Sequence, residues 1–133
     1  MKDKIKFIKE SAEKILKLLE IEAKLKVEEK EDVINLQLET NEPGILIGYH
    51  GQALQALQLL ISLISFKKFN EWTRIVVNVG DYREKRQESL TKLAQSLAQK
   101  VKFSGVAQVL PPMSSAERRI IHLTLADDQE VET

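Results

Sequence analysis

The 133-residue chain contains no cysteine, and this absence excludes disulfide bonds, thiol catalysis and thiolate metal sites together. With two histidines, it also lacks the ligands for a usual structural zinc site. Ser104, Ser114 and Ser115 have no histidine and acid spaced for nucleophilic catalysis. The residue inventory therefore predicts no catalytic residues, no metal ion and no cofactor, and hence no enzyme.

Long hydrophobic runs are absent as well. The most apolar stretch, residues 54–66, is interrupted by Gln55, Gln58, Ser62 and Ser65 and is too short to cross a bilayer core of about 30 Å. The first residues are rich in lysine and glutamate rather than in the apolar residues of a signal peptide. We expect a cytoplasmic protein without membrane insertion.

Neither sign of charge is in excess, since 20 Lys and Arg balance 20 Asp and Glu. The distribution is nevertheless uneven: residues 81–125 hold 8 basic against 4 acidic side chains, and residues 126–133 hold 4 acidic side chains and no basic ones. Net charge therefore gives no support to a nucleic-acid partner, but the second half of the chain has a local basic excess.

Glycine is scarce, yet two of the five glycines bracket two residues in Gly48-Tyr49-His50-Gly51. Glycine allows a sharp turn and close approach of a ligand backbone. A helix beginning near Gln52 would point its free N–H groups and positive dipole end into this loop, as a phosphate site requires. Alone, Gly-x-x-Gly is a weak signal, and a plain connection between two helices is the alternative.

Hydrophobic periodicity predicts an order of helix, strand, strand, helix, loop, helix, strand for the first 80 residues. The two strands of the hairpin should turn five apolar side chains toward the first helix: Leu25, Val27, Ile34, Leu36 and Leu38. The predicted elements are a helix at 3–20, a hairpin at 24–38 with its turn at 28–32, a short helix from Pro43, a helix at 52–66 and a strand at 74–79.

The helix at 52–66 is apolar on more of its circumference than one sheet contact requires. Two interpretations stay open. Either this is a fully buried central helix, or Leu59, Leu63 or Phe66 meets a partner.

The second half contains two helix-start patterns, at Asp81 and at Ser114, each with a glutamate three residues later. The first helix should run to about residue 102, a short strand should follow at 106–110, and the second helix should reach about residue 126. Arg118 and His122 would then stand one turn apart on one helix face. Such a pair, like the charged run in the first helix, is commonly only solvated surface.

Two segments resemble known RNA-binding sequences. Residues 45–47 (Ile-Leu-Ile) and 53–57 (Ala-Leu-Gln-Ala-Leu), on either side of the glycine loop, resemble a type II KH domain, whose GXXG loop clamps about four nucleotides of single-stranded RNA. Residues 82–86 (Tyr-Arg-Glu-Lys-Arg), Pro-Met at 112–113 and 117–122 (Glu-Arg-Arg-Ile-Ile-His) resemble the Arg-x-x-x-His domain that follows KH in the bacterial Jag family, also called EloR or KhpB.

The resemblance implies an α+β fold, with a type II KH domain in residues 1–80 and a small α/β Arg-x-x-x-His domain in residues 81–133. It implies a non-catalytic, single-stranded RNA-binding protein, a post-transcriptional regulator linked to bacterial cell elongation and division. A second small KH protein or a second copy of the chain would be its protein partner. The RNA-binding residues would be Ile45, Ile47, Gly48, Tyr49, His50, Gly51, Arg83, Lys85, Arg86, Arg118, Arg119 and His122, with Ile34 or Leu36 completing an apolar floor under the bases.

The alternative is a protein-interaction adaptor that dimerises through its KH domain, with RNA binding incidental. Two departures from the family bear on this choice. The family's loop usually carries a basic residue between the glycines, where this chain has Tyr49 and His50. The second domain is apparently truncated at its C-terminus, so we expect it to be open-edged, less stable or completed by something else. The resemblance does not extend to the family's separate N-terminal Jag domain and its linker.

Overall fold

The structure, a computed structural model, describes residues 2–133. Contacts between Cα atoms divide the chain into two compact units, Met1–Tyr82 and Arg83–Thr133. Each unit has its own hydrophobic cluster. Among the described residues, no helix combines the length and the apolarity that crossing a membrane requires.

The first unit has the predicted order of elements, and the predicted α+β class is confirmed. The third strand begins and ends at the predicted residues. In chain order the elements are α1 (Lys2–Leu18), β1 (Ala23–Lys30), β2 (Val33–Thr40), α2 (Pro43–Ile47), a 3-10 turn (Tyr49–Gly51), α3 (Gln52–Phe69) and β3 (Arg74–Val79).

The three strands form one sheet with β2 in the centre, antiparallel to β1 and parallel to β3. Leu36 lies between Val27 of β1 and Val77 of β3. The hairpin turn is tighter than the predicted 28–32, because Glu31 and Asp32 both adopt positive φ values, of 52° and 63°. A turn with two such residues matches the right-handed twist of the flanking strands.

The core of the first unit lies between one face of the sheet and the helices. Side chains alternate across a strand, so Ile34, Leu36 and Leu38 all point to this face and are buried, as predicted. They share a cluster with buried side chains of α1 and α3. The helix residues are Ile8, Ala12, Leu16, Leu54, Leu57 and Ile61.

Helix α3 is buried on one side alone, so its interpretation as a fully buried central helix is wrong. Leu59, Leu63 and Phe66 remain 54%, 49% and 42% exposed. Three or four residues separate them, which places them in one stripe along the helix. We call these three side chains the α3 stripe.

The second unit contains two helices, α4 (Tyr82–Ser104) and α5 (Ser115–Leu125). Its fully packed centre is small: Leu90 and Ala94 of α4 meet Ile121 of α5. Leu110, Met113, Ile120 and Leu125 pack around them.

The strand predicted at 106–110 is wrong, because residues 105–114 form neither helix nor strand. Strand formation requires a partner for hydrogen bonds, and the described residues of this unit offer two helices instead. Leu110 and Met113 are half-buried against the helices. The connection is therefore held by side-chain packing rather than by a ladder of backbone hydrogen bonds.

The acidic residues after α5 are attached to the end of α4. Lys102 Nζ lies 2.7 Å from Asp128 Oδ2 and 3.6 Å from Glu130 Oε2. Hydrogen bonding to Asp128 raises the pKa of Lys102, and the same bond lowers the pKa of Asp128. The tail thus has a defined attachment within the second unit.

The small core of the second unit generates a prediction. Leu90 is 0% exposed, so Leu90→Ala should lower the free energy of unfolding of this unit by about 2–5 kcal/mol through lost burial and a residual cavity. Leu123→Ala, the matched control at a residue 58% exposed, should cost less than about 0.5 kcal/mol. Amide exchange of Ile121 under increasing denaturant measures both values. Equal losses of unfolding free energy in the two variants would show that burial of Leu90 does not stabilise this core.

Candidate nucleic-acid interface

The loop between α2 and α3 has a backbone that glycine alone can adopt comfortably. Gly48 has φ 69° and ψ −165°, a region essentially closed to other residues. A Cβ atom at this position would also come within 2.6 Å of Ala53 Cβ. At Gly51, with φ 83°, a Cβ would lie 3.1 Å from the Tyr82 ring. Local sterics thus require both glycines.

Two aromatic rings occupy the tip of this loop. His50 adopts a left-handed conformation, with φ 50° and ψ 31°, which is uncommon for a residue with a side chain. The rings of Tyr49 and His50 are stacked, with centroids 3.9 Å apart and planes inclined by 29°. Tyr49 is 70% exposed.

The electrostatics of the loop come from the backbone, since no lysine or arginine lies between the glycines. Helix α3 begins directly after Gly51 and has no side-chain hydrogen bond capping its first turn. The first N–H groups of a helix have no partner within the helix, and the helix dipole adds partial positive charge there. An anion beside the loop would meet these donors.

The apolar surface beside the loop is narrower than predicted. Ile45 is 61% exposed and Ile47 is half-buried against the core. Ile34 and Leu36 were expected to complete an apolar floor, and this expectation is wrong because they are 1% and 0% exposed beneath the helices. Ile45 is therefore the main accessible apolar side chain of the predicted set.

In the second unit, Arg118 and His122 line the same cavity of about 470 Å³. Their spacing of four residues on α5 places both on one face of the helix. Thr133 is the third polar residue of the lining, and the other lining residues are apolar, so the cavity combines an apolar interior with three polar residues. The lining residues are Leu110, Pro111, Pro112, Met113, Arg118, Ile121, His122 and Thr133.

Helix α5 is fixed at its start by two interactions. The Ser114 hydroxyl accepts a hydrogen bond from the Glu117 N–H at 3.2 Å, as the helix-start pattern predicts. The Glu117 carboxylate does not return to Ser114 but accepts a 2.6 Å hydrogen bond from Arg86 Nε. Arg86 and Glu117 are largely buried in this ion pair. Arg86, predicted from sequence as an RNA contact, thus joins α4 to α5.

The remaining predicted residues of the second unit are exposed. Arg119 follows Arg118 on α5 but lies outside the cavity lining. Arg83 and Lys85 are exposed in the first turn of α4. His122 Nδ1 lies 2.6 Å from Thr133 Oγ1. The tail therefore contacts two places in this unit: the cavity, through Thr133, and Lys102, through Asp128.

Sequence reasoning missed the cavity itself. Its walls come from the irregular segment before α5, where no periodicity exists to be read. The available signal was the pair of prolines at 111 and 112, which hold the chain extended just before the Ser114 cap. Leu110 and Thr133 carried no signal of their own.

Comparison with known proteins places both units in described families. The model of the KhpA/KhpB KH domain matches residues 5–79. The model of the Arg-x-x-x-His domain, a domain named for its arginine and histidine separated by three residues, matches residues 88–133.

Several relatives of this chain carry the name RNA-binding protein KhpB. The Streptococcus pneumoniae protein is 43% identical over 104 residues, which are 78% of this chain and 32% of that protein. The Clostridium symbiosum protein is 39% identical over 113 residues, which are 85% of this chain and 51% of that protein. The Bacillus subtilis protein is 35% identical over 100 residues, which are 75% of this chain and 48% of that protein. The chain thus spans about a third to a half of the length of these relatives.

The KH match covers more than half of the chain, and the Arg-x-x-x-His match follows it in the order seen in the fold. The chain therefore belongs to the bacterial KhpB family, with a KhpA/KhpB-type KH domain followed by an Arg-x-x-x-His domain.

Proposed function

We propose that this chain binds single-stranded RNA in the cytoplasm without catalysing a reaction, as a post-transcriptional regulator linked to bacterial cell elongation and division. The observation that carries the RNA-binding part is the loop at residues 48–51, whose glycines allow the tight turn that brings the exposed Tyr49 and His50 beside the start of α3, where no side chain caps the helix. The names of its relatives support the same ligand class.

The loop acts through its backbone in this proposal. An RNA strand approaches the exposed side of the loop at Tyr49 and His50, and its phosphates accept hydrogen bonds from N–H groups at the start of α3. Exposed Ile45 offers apolar contact to a neighbouring base. A KH loop of this kind engages about four nucleotides.

The cavity of the second unit contributes a different contact. Arg118 carries a permanent planar charge that matches a phosphate, and its neighbour His122 can donate a hydrogen bond. At about 470 Å³ the cavity falls within the size range of small-molecule sites, and Met113 and Ile121 supply apolar wall for a base. Arg83, Lys85 and Arg119 add positive charge for the RNA backbone, whereas Arg86 serves the ion pair with Glu117.

A filter-binding titration with mixed-sequence single-stranded RNA, at low and moderate salt, tests the proposal directly. We expect saturable binding that weakens as salt rises, because bound phosphates release counterions. Binding too weak to saturate at low salt would contradict the proposal.

The loop contact predicts that Tyr49→Asp combined with His50→Asp weakens RNA binding and leaves the fold intact. Two carboxylates would repel the approaching phosphates, while both glycines and the core stay unchanged. Lys67→Ala with Lys68→Ala is the control, since it makes the same change in net charge about 22 Å further along α3. If the control lost more RNA affinity than the loop variant, the loop would not be part of the proposed interface.

The cavity contact predicts that Arg118→Ala lowers both the affinity and the salt dependence of binding. The slope of log K against log salt should fall by about one unit, as expected for one lost phosphate contact. Lys92→Ala is the control, because this exposed side chain of the same unit pairs with Glu88 along the helix surface. An unchanged slope for Arg118→Ala would mean that Arg118 does not neutralise a phosphate.

A second candidate function rests on the α3 stripe. Trp72, 59% exposed, has its ring 6.1 Å from that of Phe66, so the apolar surface extends beyond the helix. Contiguous exposed apolar surface of this kind marks a site of protein association. We propose that this surface binds another KH domain, either that of a second copy or that of a second small KH protein.

This second candidate predicts that Leu63→Glu leaves the monomer folded and abolishes self-association. Leu63 is half exposed, so the charged side chain reaches water in the monomer but would be buried in a dimer. Ile61→Glu is the matched control two residues away, at a position 1% exposed, and should unfold the chain. Thermal melting and a sizing column separate the two results. Loss of the melting transition in Leu63→Glu would refute the partner surface.

A further inference from the structure

We propose that Tyr49 and His50 form a stacking platform for one unpaired RNA base, so that this loop contacts a nucleobase as well as phosphate. The inference deepens the proposed function and rests on it, since it assumes that RNA reaches the loop. Tyr49 and His50 would then contact a base through their rings, which a loop that binds only through charge would not require.

The geometry of the two rings supports this assignment. Their centroids are 3.9 Å apart and their planes differ by 29°, so they form a nearly parallel stack. Tyr49 is 70% exposed and His50 is also exposed, so the stack stands in solvent rather than in the core. A base that joined the stack would add a third flat surface and cover apolar ring area that water now contacts.

The stack is also held in place before any ligand arrives. His50 has a left-handed backbone that is unfavourable for a residue with a side chain. On either side, the backbone passes so close to its neighbours that a Cβ at Gly48 would meet Ala53 and a Cβ at Gly51 would meet the Tyr82 ring. Neither ring belongs to the core cluster of the first unit. Core packing therefore does not account for the ring arrangement, and the exposed stack is available to a ligand.

The chemistry of the pair favours a base over a phosphate or a protein segment. The Tyr49 ring is uncharged and offers a flat face, which suits the face of any base and gives little sequence preference. The N–H groups at the start of α3 lie next to the rings and suit the phosphate that accompanies each base. A nucleotide combines these two requirements in one ligand.

The test compares Tyr49→Ala with Tyr49→Phe in the whole chain. The probe is a short oligouridine that carries a single 2-aminopurine, whose fluorescence changes when it stacks. Affinity is measured by anisotropy at several salt concentrations. Tyr49→Ala should bind roughly ten-fold more weakly, with an unchanged salt slope, because a stacked base is lost and no phosphate contact is. Tyr49→Phe should bind like the parent.

The fluorescence signal supplies a second criterion. With the parent chain, 2-aminopurine should respond strongly at one position of the oligonucleotide, and this response should vanish in Tyr49→Ala. His50→Asn should weaken binding without lowering the melting temperature, because asparagine tolerates the left-handed backbone but has no ring. Circular dichroism of each variant confirms that the fold is retained.

Three results would overturn the inference. Equal affinity for Tyr49→Ala and the parent would show that no base stacks on Tyr49. Equal weakening by Tyr49→Ala and Tyr49→Phe would assign the contact to the hydroxyl group, and a reduced salt slope would assign it to phosphate. If the parent chain itself did not bind RNA, both the proposed function and this inference would be wrong. Each of the first three results would contradict this inference alone and would not contradict the proposed function.

Discussion

The close approach of Gly48 to Ala53 is the constraint on which the first unit's candidate site depends. Any side chain at this position would overlap Ala53, so α3 could not begin where it does relative to α2. The loop turn at Gly48 places the first N–H groups of α3 at the loop, and it leaves Tyr49 and His50 outside the core. The geometry of the candidate site is thus a consequence of one missing Cβ atom.

The second unit uses its charges in two distinct ways. The pair of Arg86 with Glu117 joins helix to helix, and the pair of Lys102 with Asp128 joins helix to tail. Both pairs lie in a unit whose buried hydrophobic cluster is small. Arg118 and His122 instead line a cavity. Both uses draw on the same basic excess in the sequence. Burial and a carboxylate within hydrogen-bonding distance distinguish a structural cation from one available to a ligand.

The sequence predicted the first unit well because its elements have clear periods. β3 was predicted from its β-branched residues, which favour a strand without tertiary information, and its side chains alternate between buried and less buried positions. At 106–110 the local pattern failed, since it reports strand propensity but not whether a neighbouring strand exists. The burial of α3 was undecided because a helix that is apolar nearly all round has no preferred face. The Arg86 ion pair joins residues 31 positions apart, which no local pattern can foresee.

The two proposed RNA contacts differ in physical character, and this difference determines how the chain would respond to salt. Backbone N–H groups and a helix dipole carry partial charges, and a stacked base carries none, so contacts at the loop release few counterions. Arg118 and the exposed basic residues of the second unit carry full charges, and most of the salt dependence should come from them. Rising salt therefore weakens the contact of the Arg-x-x-x-His domain first and leaves the KH loop as the larger share of the binding free energy. A loop without lysine or arginine, which looks poorly suited to RNA on charge alone, is on this argument the contact that persists at physiological ionic strength.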